Sequence, residues 1–152
     1  MAIQKYFVEV DTYGYTRWYK DQACTTLHRL DGPAVTHVSG TCTWVVDGQA
    51  HREDGPAAIR ADGTKEWYQN GQLHRTDGPA IEGTDGSQFW YLNGQLHRED
   101  GPASISGNGR QRWYLKGKRI GKADYEKLTA SVEEMTMAQV EAALGKRVKI
   151  IK

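Results

Sequence analysis

The chain has 152 residues, 38% hydrophobic and 26% charged, with 17 glycines, a mean hydropathy of −0.71 and a formal net charge of +1. That size suits one domain, or a repeat array with a small appendage. No apolar run approaches the ~18 residues of a membrane span, and the start MAIQKYFVEV lacks the basic-then-apolar pattern of a secretory signal; the expectation is a cytoplasmic protein without a membrane partner. Cys24 and Cys42 are too few for a disulfide scaffold and have no CxxC spacing, so they read as free thiols.

Residues 6 to 10 and 15 to 19 predict a first hairpin. The chain then repeats itself with a period of 23. HRLDGPA, HREDGPA, HRTDGPA and HREDGPA begin at His28, His51, His74 and His97. Each is preceded by an aromatic block at Trp18, Trp44, Trp67 and Trp90, with Trp113 beginning a fifth. A glycine stands four residues before each tryptophan, at Gly14, Gly40, Gly63, Gly86 and Gly109. Trp18 lies ten residues from its histidine where the others lie seven, so KDQACTTL holds a three-residue insertion.

A period this short implies a supersecondary unit that buries its apolar face only against its neighbours. Asp62-Gly63 and Asp85-Gly86 lie between alternating segments and predict tight hairpin turns. In the cleanest copy the strands are expected at 80 to 84 and 88 to 92, with Asn93-Gly94 opening a longer connection. The prolines, at 33, 56, 79 and 102, all fall in that connection, where the missing N–H costs the sheet nothing. The predicted fold is mainly β: a single elongated antiparallel meander of 23-residue hairpins, residues 1–122, of about ten strands and ~45 Å. A small helix-strand tail follows at 123–152.

The string DGSQFWYLNGQLH resembles the MORN repeat, and stacked WYLNGQLHREDGPA copies resemble the MORN-like proteins of tailed bacteriophages and giant viruses. The likeness covers about residues 5 to 122. It departs from the family at the aromatic-x-Gly-x-aromatic strand core, which is KEWYQ and SQFWYL here, so the lipid association of some members is not carried over.

Neighbouring Trp67-Tyr68, Trp90-Tyr91 and Trp113-Tyr114 predict two aromatic ladders on opposite faces, read as packing between repeats. The repeated His and Asp suggest a base or a metal ligand, but equivalent residues lie about 10 Å apart, too far for two histidines to share one zinc. The position between Arg and Asp is Leu30, Glu53, Thr76 and Glu99, so no nucleophile recurs. The reading is therefore that His and Asp hold the connection and its turn, and that Arg29, Arg52, Arg75 and Arg98 form a solvated, salt-bridged rim. Gly78 and Gly101 are expected to serve backbone angles that other residues adopt only with strain.

Charge is uneven. Residues 1–109 hold nine basic and fourteen acidic residues, formally −5, and residues 110–152 hold eleven and five, formally +6. Arg110, Arg112, Lys116, Lys118, Arg119 and Lys122 surround Trp113 and Tyr114. Basic residues among aromatics suit a nucleotide or single-stranded nucleic acid, and equally protect an edge strand from aggregation. In the tail, Thr136 and Gln139 form a capping-box pattern before a Met137, Val140 and Leu144 stripe, with VKII as a short strand. This tail also looks like one seen on assorted phage proteins; it suits a cap for the array, or a homodimer contact.

The expected function is non-catalytic protein binding without cofactor or metal: a phage-encoded inhibitor of a bacterial host protein such as an immunity component. Arg75, Arg98 and the basic set are the candidate binding residues. The alternative is nucleic-acid binding through 110–122.

Overall fold

The computed structural model describes residues 5–133. The first hairpin pairs β1 (Phe7–Val10) with β2 (Tyr15–Tyr19), and the next repeat supplies β3 (Val35–His37), β4 (Cys42–Thr43), β5 (Val45–Val46) and β6 (Gln49–Ala50). The third contributes β7 (Ala58–Ile59), β8 (Lys65–Glu66), β9 (Tyr68–Gln69) and β10 (Gln72–Leu73). The fourth contributes β11 (Ile81–Glu82), β12 (Gln88–Phe89), β13 (Tyr91–Leu92) and β14 (Gln95–Leu96). The last has β15 (Ser104–Ile105), β16 (Gln111–Leu115) and β17 (Lys118–Ile120), followed by α1 (Lys122–Glu133). One antiparallel sheet of eleven strands runs β1-β2-β3-β4-β7-β8-β11-β12-β15-β16-β17. Mainly β hairpin architecture is thus what the chain adopts.

Each repeat also makes a second, smaller hairpin: β5–β6, β9–β10 and β13–β14 stand as separate two-stranded sheets. The long strand expected at 88–92 is divided at Trp90, because the tryptophan faces two neighbours. Its N–H donates 2.8 Å to the Ala103 carbonyl of the next repeat, while its own carbonyl accepts from His97 N–H at 3.0 Å. Trp44 and Trp67 do the same with Ala57 and His51, and with Ala80 and His74.

The turns exchange the roles the sequence suggested. Asn70-Gly71 and Asn93-Gly94 are the two-residue turns, with φ of 49° and 76°, and 49° and 75°; positive φ at both central residues is the signature of a type I′ hairpin. At Asp62-Gly63 only the glycine is positive, at 89°, and Gly63 N–H bonds the Arg60 carbonyl, giving a three-residue turn closed by a glycine bulge. The aspartate acts through its side chain instead, accepting from Thr64 N–H at 2.8 Å.

The core is a thin seam. Ala34, Ala57, Ala80 and Ala103, the last residue of each DGPA, are fully buried, and no large side chain among the described residues is buried as completely. Beside the seam, Glu66 is buried yet paired: Arg60 grips it through two nitrogens at 2.9 and 2.8 Å, and Tyr68 donates its hydroxyl at 3.0 Å. The last element among the described residues is a twelve-residue helix starting at Lys122, within the stretch assigned to the array. The stripe Met137, Val140 and Leu144 and the strand VKII lie outside the described residues.

Candidate functional site

The repeated connection is built around the arginine. In the sequence it stands eight residues after Trp44, Trp67 and Trp90. In the fold it returns across the tryptophan ring, with the guanidinium carbon 4.1 Å (Arg52 on Trp44), 4.0 Å (Arg75 on Trp67) and 4.0 Å (Arg98 on Trp90) from the ring centroid. Arg29 does so over Trp18 at 4.4 Å despite the insertion. From there Nε donates to the aspartate two residues on, at 2.7, 2.8, 2.9 and 2.6 Å from Arg29 to Arg98 in turn. Nη1 reaches the proline carbonyl four residues on, at 3.2 to 3.4 Å. The planar fork is what lets one residue stack and hold two acceptors.

That corrects the reading of the arginines as a solvated rim: their side chains are only 20–25% exposed, whereas the paired aspartates are 67–82% exposed. It also corrects the role of the glycine between Asp and Pro. Gly32, Gly55, Gly78 and Gly101 do not have positive φ. They are glycine because a Cβ there would meet the guanidinium carbon at 3.0, 3.2, 2.9 and 3.1 Å.

The histidines reach forward rather than holding their own loop. Nδ1 of His28, His51, His74 and His97 accepts from the backbone N–H of Asp47, Asn70, Asn93 and Lys116, at 3.0 to 3.2 Å. Those four residues open the next repeat's small hairpin turn and have φ near 50°. The histidine of one string therefore binds one repeat to the next, while Arg, Asp and Gly lock the string onto its own tryptophan; Arg75 also reaches the next repeat through a 2.8 Å contact to Glu82. The arginine contacts hold the aspartates below the usual carboxylate range: the hydrogen bond from Arg29, Arg52, Arg75 or Arg98 is the largest cause at Asp31, Asp54, Asp77 and Asp100.

The face outside this lattice is acidic and varied. Open grooves run between successive connections, and the residues standing over them include Leu30, Glu53, Thr76 and Glu99, the positions that differ between copies. Arg75 and Arg98 line the walls of these grooves but stay stacked on their tryptophans.

The basic end divides between two faces. Tyr114 pairs with Arg119 and stands two residues from Arg112, which places those three on one side of the β16–β17 hairpin. Trp113, opposite Ile120, and Leu115, opposite Lys118, take the other side. There Lys122 Nζ sits 5.9 Å from the Trp113 ring, and Tyr125 packs against it with centroids 6.5 Å apart. Arg110, Lys116, Lys118, Arg119 and Lys122 are exposed, and Lys116 occupies a turn position with its N–H on His97. Trp113 is therefore a packing residue, and Tyr114 is the ring that shares a face with two arginines. Sequence reasoning missed Tyr125, which is buried and whose hydroxyl is pushed upward chiefly by that burial.

Fold and surface together define a β-hairpin repeat scaffold with one interlocking junction per 23 residues. No protein-family model matches the chain, and no curated protein matches its sequence.

Proposed function

We propose that the chain is a non-catalytic protein-binding repeat module, encoded by a phage and inhibiting a bacterial host protein such as an immunity component. The observation that carries this reading is the division of labour within the repeat. The residues able to do chemistry, His, Arg and Asp, are occupied identically in successive copies by holding the next turn, the tryptophan and the loop. Exposed groove positions vary from copy to copy on that fixed frame, which is how a repeat scaffold acquires a specific partner. The phage origin rests on the resemblance to MORN-like phage proteins, and cytoplasmic action follows from such a target. Expressed in a bacterium that carries a phage-immunity system, the protein should restore plaque formation and co-purify stoichiometrically with one immunity component. Glu53→Lys with Glu99→Lys should abolish both at unchanged melting temperature. Unaltered immunity across hosts with different systems overturns the reading.

A second reading is supported by Arg112, Tyr114 and Arg119 sharing one face: a single-stranded nucleic acid with a base on Tyr114 and phosphates on the arginines. Affinity that falls steeply with salt and is lost on Tyr114→Ala, but survives Lys122→Ala, is its expected result.

A further inference from the structure

The grooves between successive connections form one row. The first lies between Leu30 and Glu53, the second between Glu53 and Thr76, and the third between Thr76 and Glu99, so Glu53 and Thr76 each stand on a wall that two grooves share. All four residues are exposed, Leu30 at 62%. Each groove is also lined by a tryptophan and the histidine seven residues on: Trp44 with His51, Trp67 with His74, and Trp90 with His97. Aromatic-lined grooves are where extended, proline-rich chain docks.

Charge selects what the row accepts. Arg29, Arg52, Arg75 and Arg98 are engaged one to one by Asp31, Asp54, Asp77 and Asp100. Glu53 and Glu99 are the surplus, with side chains 90% and 81% exposed, and neither pairs with a lysine or arginine among the described residues. Each stands beside the histidine two residues before it: Glu99 Oε1 lies 3.3 Å from His97 Nε2, and Glu53 Oε1 lies 4.0 Å from His51 Nε2. Because Nδ1 of both rings accepts from the next turn, the neutral ring carries its proton on Nε2, the nitrogen that faces the carboxylate. Both carboxylates therefore have a donor that orients them and an open side for a cation.

Spacing completes the match. Each repeat adds two strands to the large sheet, so successive variable residues are about 9.6 Å apart. A polyproline II chain advances about 9.3 Å in its three-residue turn and presents every third side chain to one side. We propose that the row binds one extended segment of the partner, in polyproline II conformation, lying along the repeat axis with every third residue facing a variable position. That segment presents an apolar residue to Leu30, a cation to Glu53, a polar residue to Thr76 and a second cation to Glu99. The two cations are six residues apart. This rests on the reading of the grooves as the partner surface and names what that surface recognises. A nucleic acid is opposed here by the surplus carboxylates, and the same row on a second copy carries the same sign.

The test uses two labelled ten-residue peptides with proline at every position but the first, fourth, seventh and tenth. Those positions hold leucine, arginine, glutamine and arginine in one peptide and the reverse order in the other, one for each run direction. Fluorescence anisotropy with the full chain should show saturable binding of one of them, weakening with salt. Glu53→Gln and Glu99→Gln should each weaken it about fivefold, and Glu53→Lys with Glu99→Lys should abolish it. The peptide with both arginines replaced by glutamate should bind that double variant and not the wild type. Moving one arginine by a single position should cost as much as removing it. No saturation up to about 1 mM, equal affinity for the shifted peptide, or a charge exchange that rescues nothing overturns the inference. Restored plaque formation without peptide binding overturns this inference alone, whereas binding in register without any effect on immunity supports it and overturns the proposed inhibition.

Discussion

The interior junctions and the C-terminal one solve the same packing problem differently. At Trp44, Trp67 and Trp90 the ring is covered by an arginine threaded past a glycine, and the neighbouring alanine slot is closed to solvent. At Trp113 there is no such arginine; Lys122 and Tyr125 of α1 cover the ring. What a junction requires is a lid for a half-buried tryptophan, and the lid is replaceable. Stability then sums over nearest-neighbour junctions, with the helix ending the series.

The largest test of that contrast lies in the alanine seam. Ala80→Leu must force a branched side chain into a slot with no exposure and should cost about 3 kcal/mol in denaturant unfolding; Val8→Leu, on the first strand and 53% exposed, should change stability by less than about 0.5 kcal/mol. Equal effects would show that the first strand is packed as tightly as the seam. Trp67→Ala should cost about 2 kcal/mol, less than a fully buried tryptophan, since the ring is half-buried and leaves Arg75 without its stacking face. Tyr125→Ala should instead lose helical signal in circular dichroism while leaving the main unfolding transition in place.

Gly78→Ala is smaller, about 1 kcal/mol, because the new methyl lifts the Arg75 guanidinium off its ring. Its signature is non-additivity. In an Arg75→Ala background the same change should be nearly silent, whereas an independent backbone effect would persist. Mildest is acid. Asp31, Asp54, Asp77 and Asp100 have folded values below the ordinary 3.8, so the unfolded chain takes up protons first as pH falls. Their stabilisation is complete above about pH 5 and drains away below pH 4, as the pH falls through the depressed values. Arg75→Lys with Arg98→Lys should shallow that decline in melting temperature.

The period, the hairpins and the site of the insertion were legible because they are written in spacing alone. The turns were legible as turns but not in kind: Asp-Gly and Asn-Gly share a composition, and what separates them is whether the residue before glycine enters the left-handed region, as Asn70 does and Asp62 does not. The arginine stack was hidden because it links residues eight apart through a loop whose path no local pattern specifies. A signal was nonetheless present. Arg, then Gly three residues later, accompanies Trp at fixed spacing in every regular copy, and at the last tryptophan the arginine's place is taken by Gly121, where α1 begins. The two-faced division of the basic segment needed the register of β16 against β17, which residue order alone does not supply.

The insertion after Trp18 is the place where the array has changed length without changing pitch. Its loop closes on itself: Asp21 accepts from Thr25 and Thr26 N–H, both at 2.9 Å, and Lys20 N–H bonds the Thr26 carbonyl at 3.2 Å. Beyond it Tyr19 still bridges Leu27, and Arg29 still covers Trp18. The small-hairpin tip of the first repeat is thus an address at which evolution, or a designer, can splice foreign sequence while the neighbours keep their contacts, whereas the tips at Asp47, Asn70 and Asn93 are held by the histidine of the preceding repeat. A lineage of such proteins would be expected to diversify first by tip length and by repeat number, and only afterwards by altering the string that locks one unit to the next.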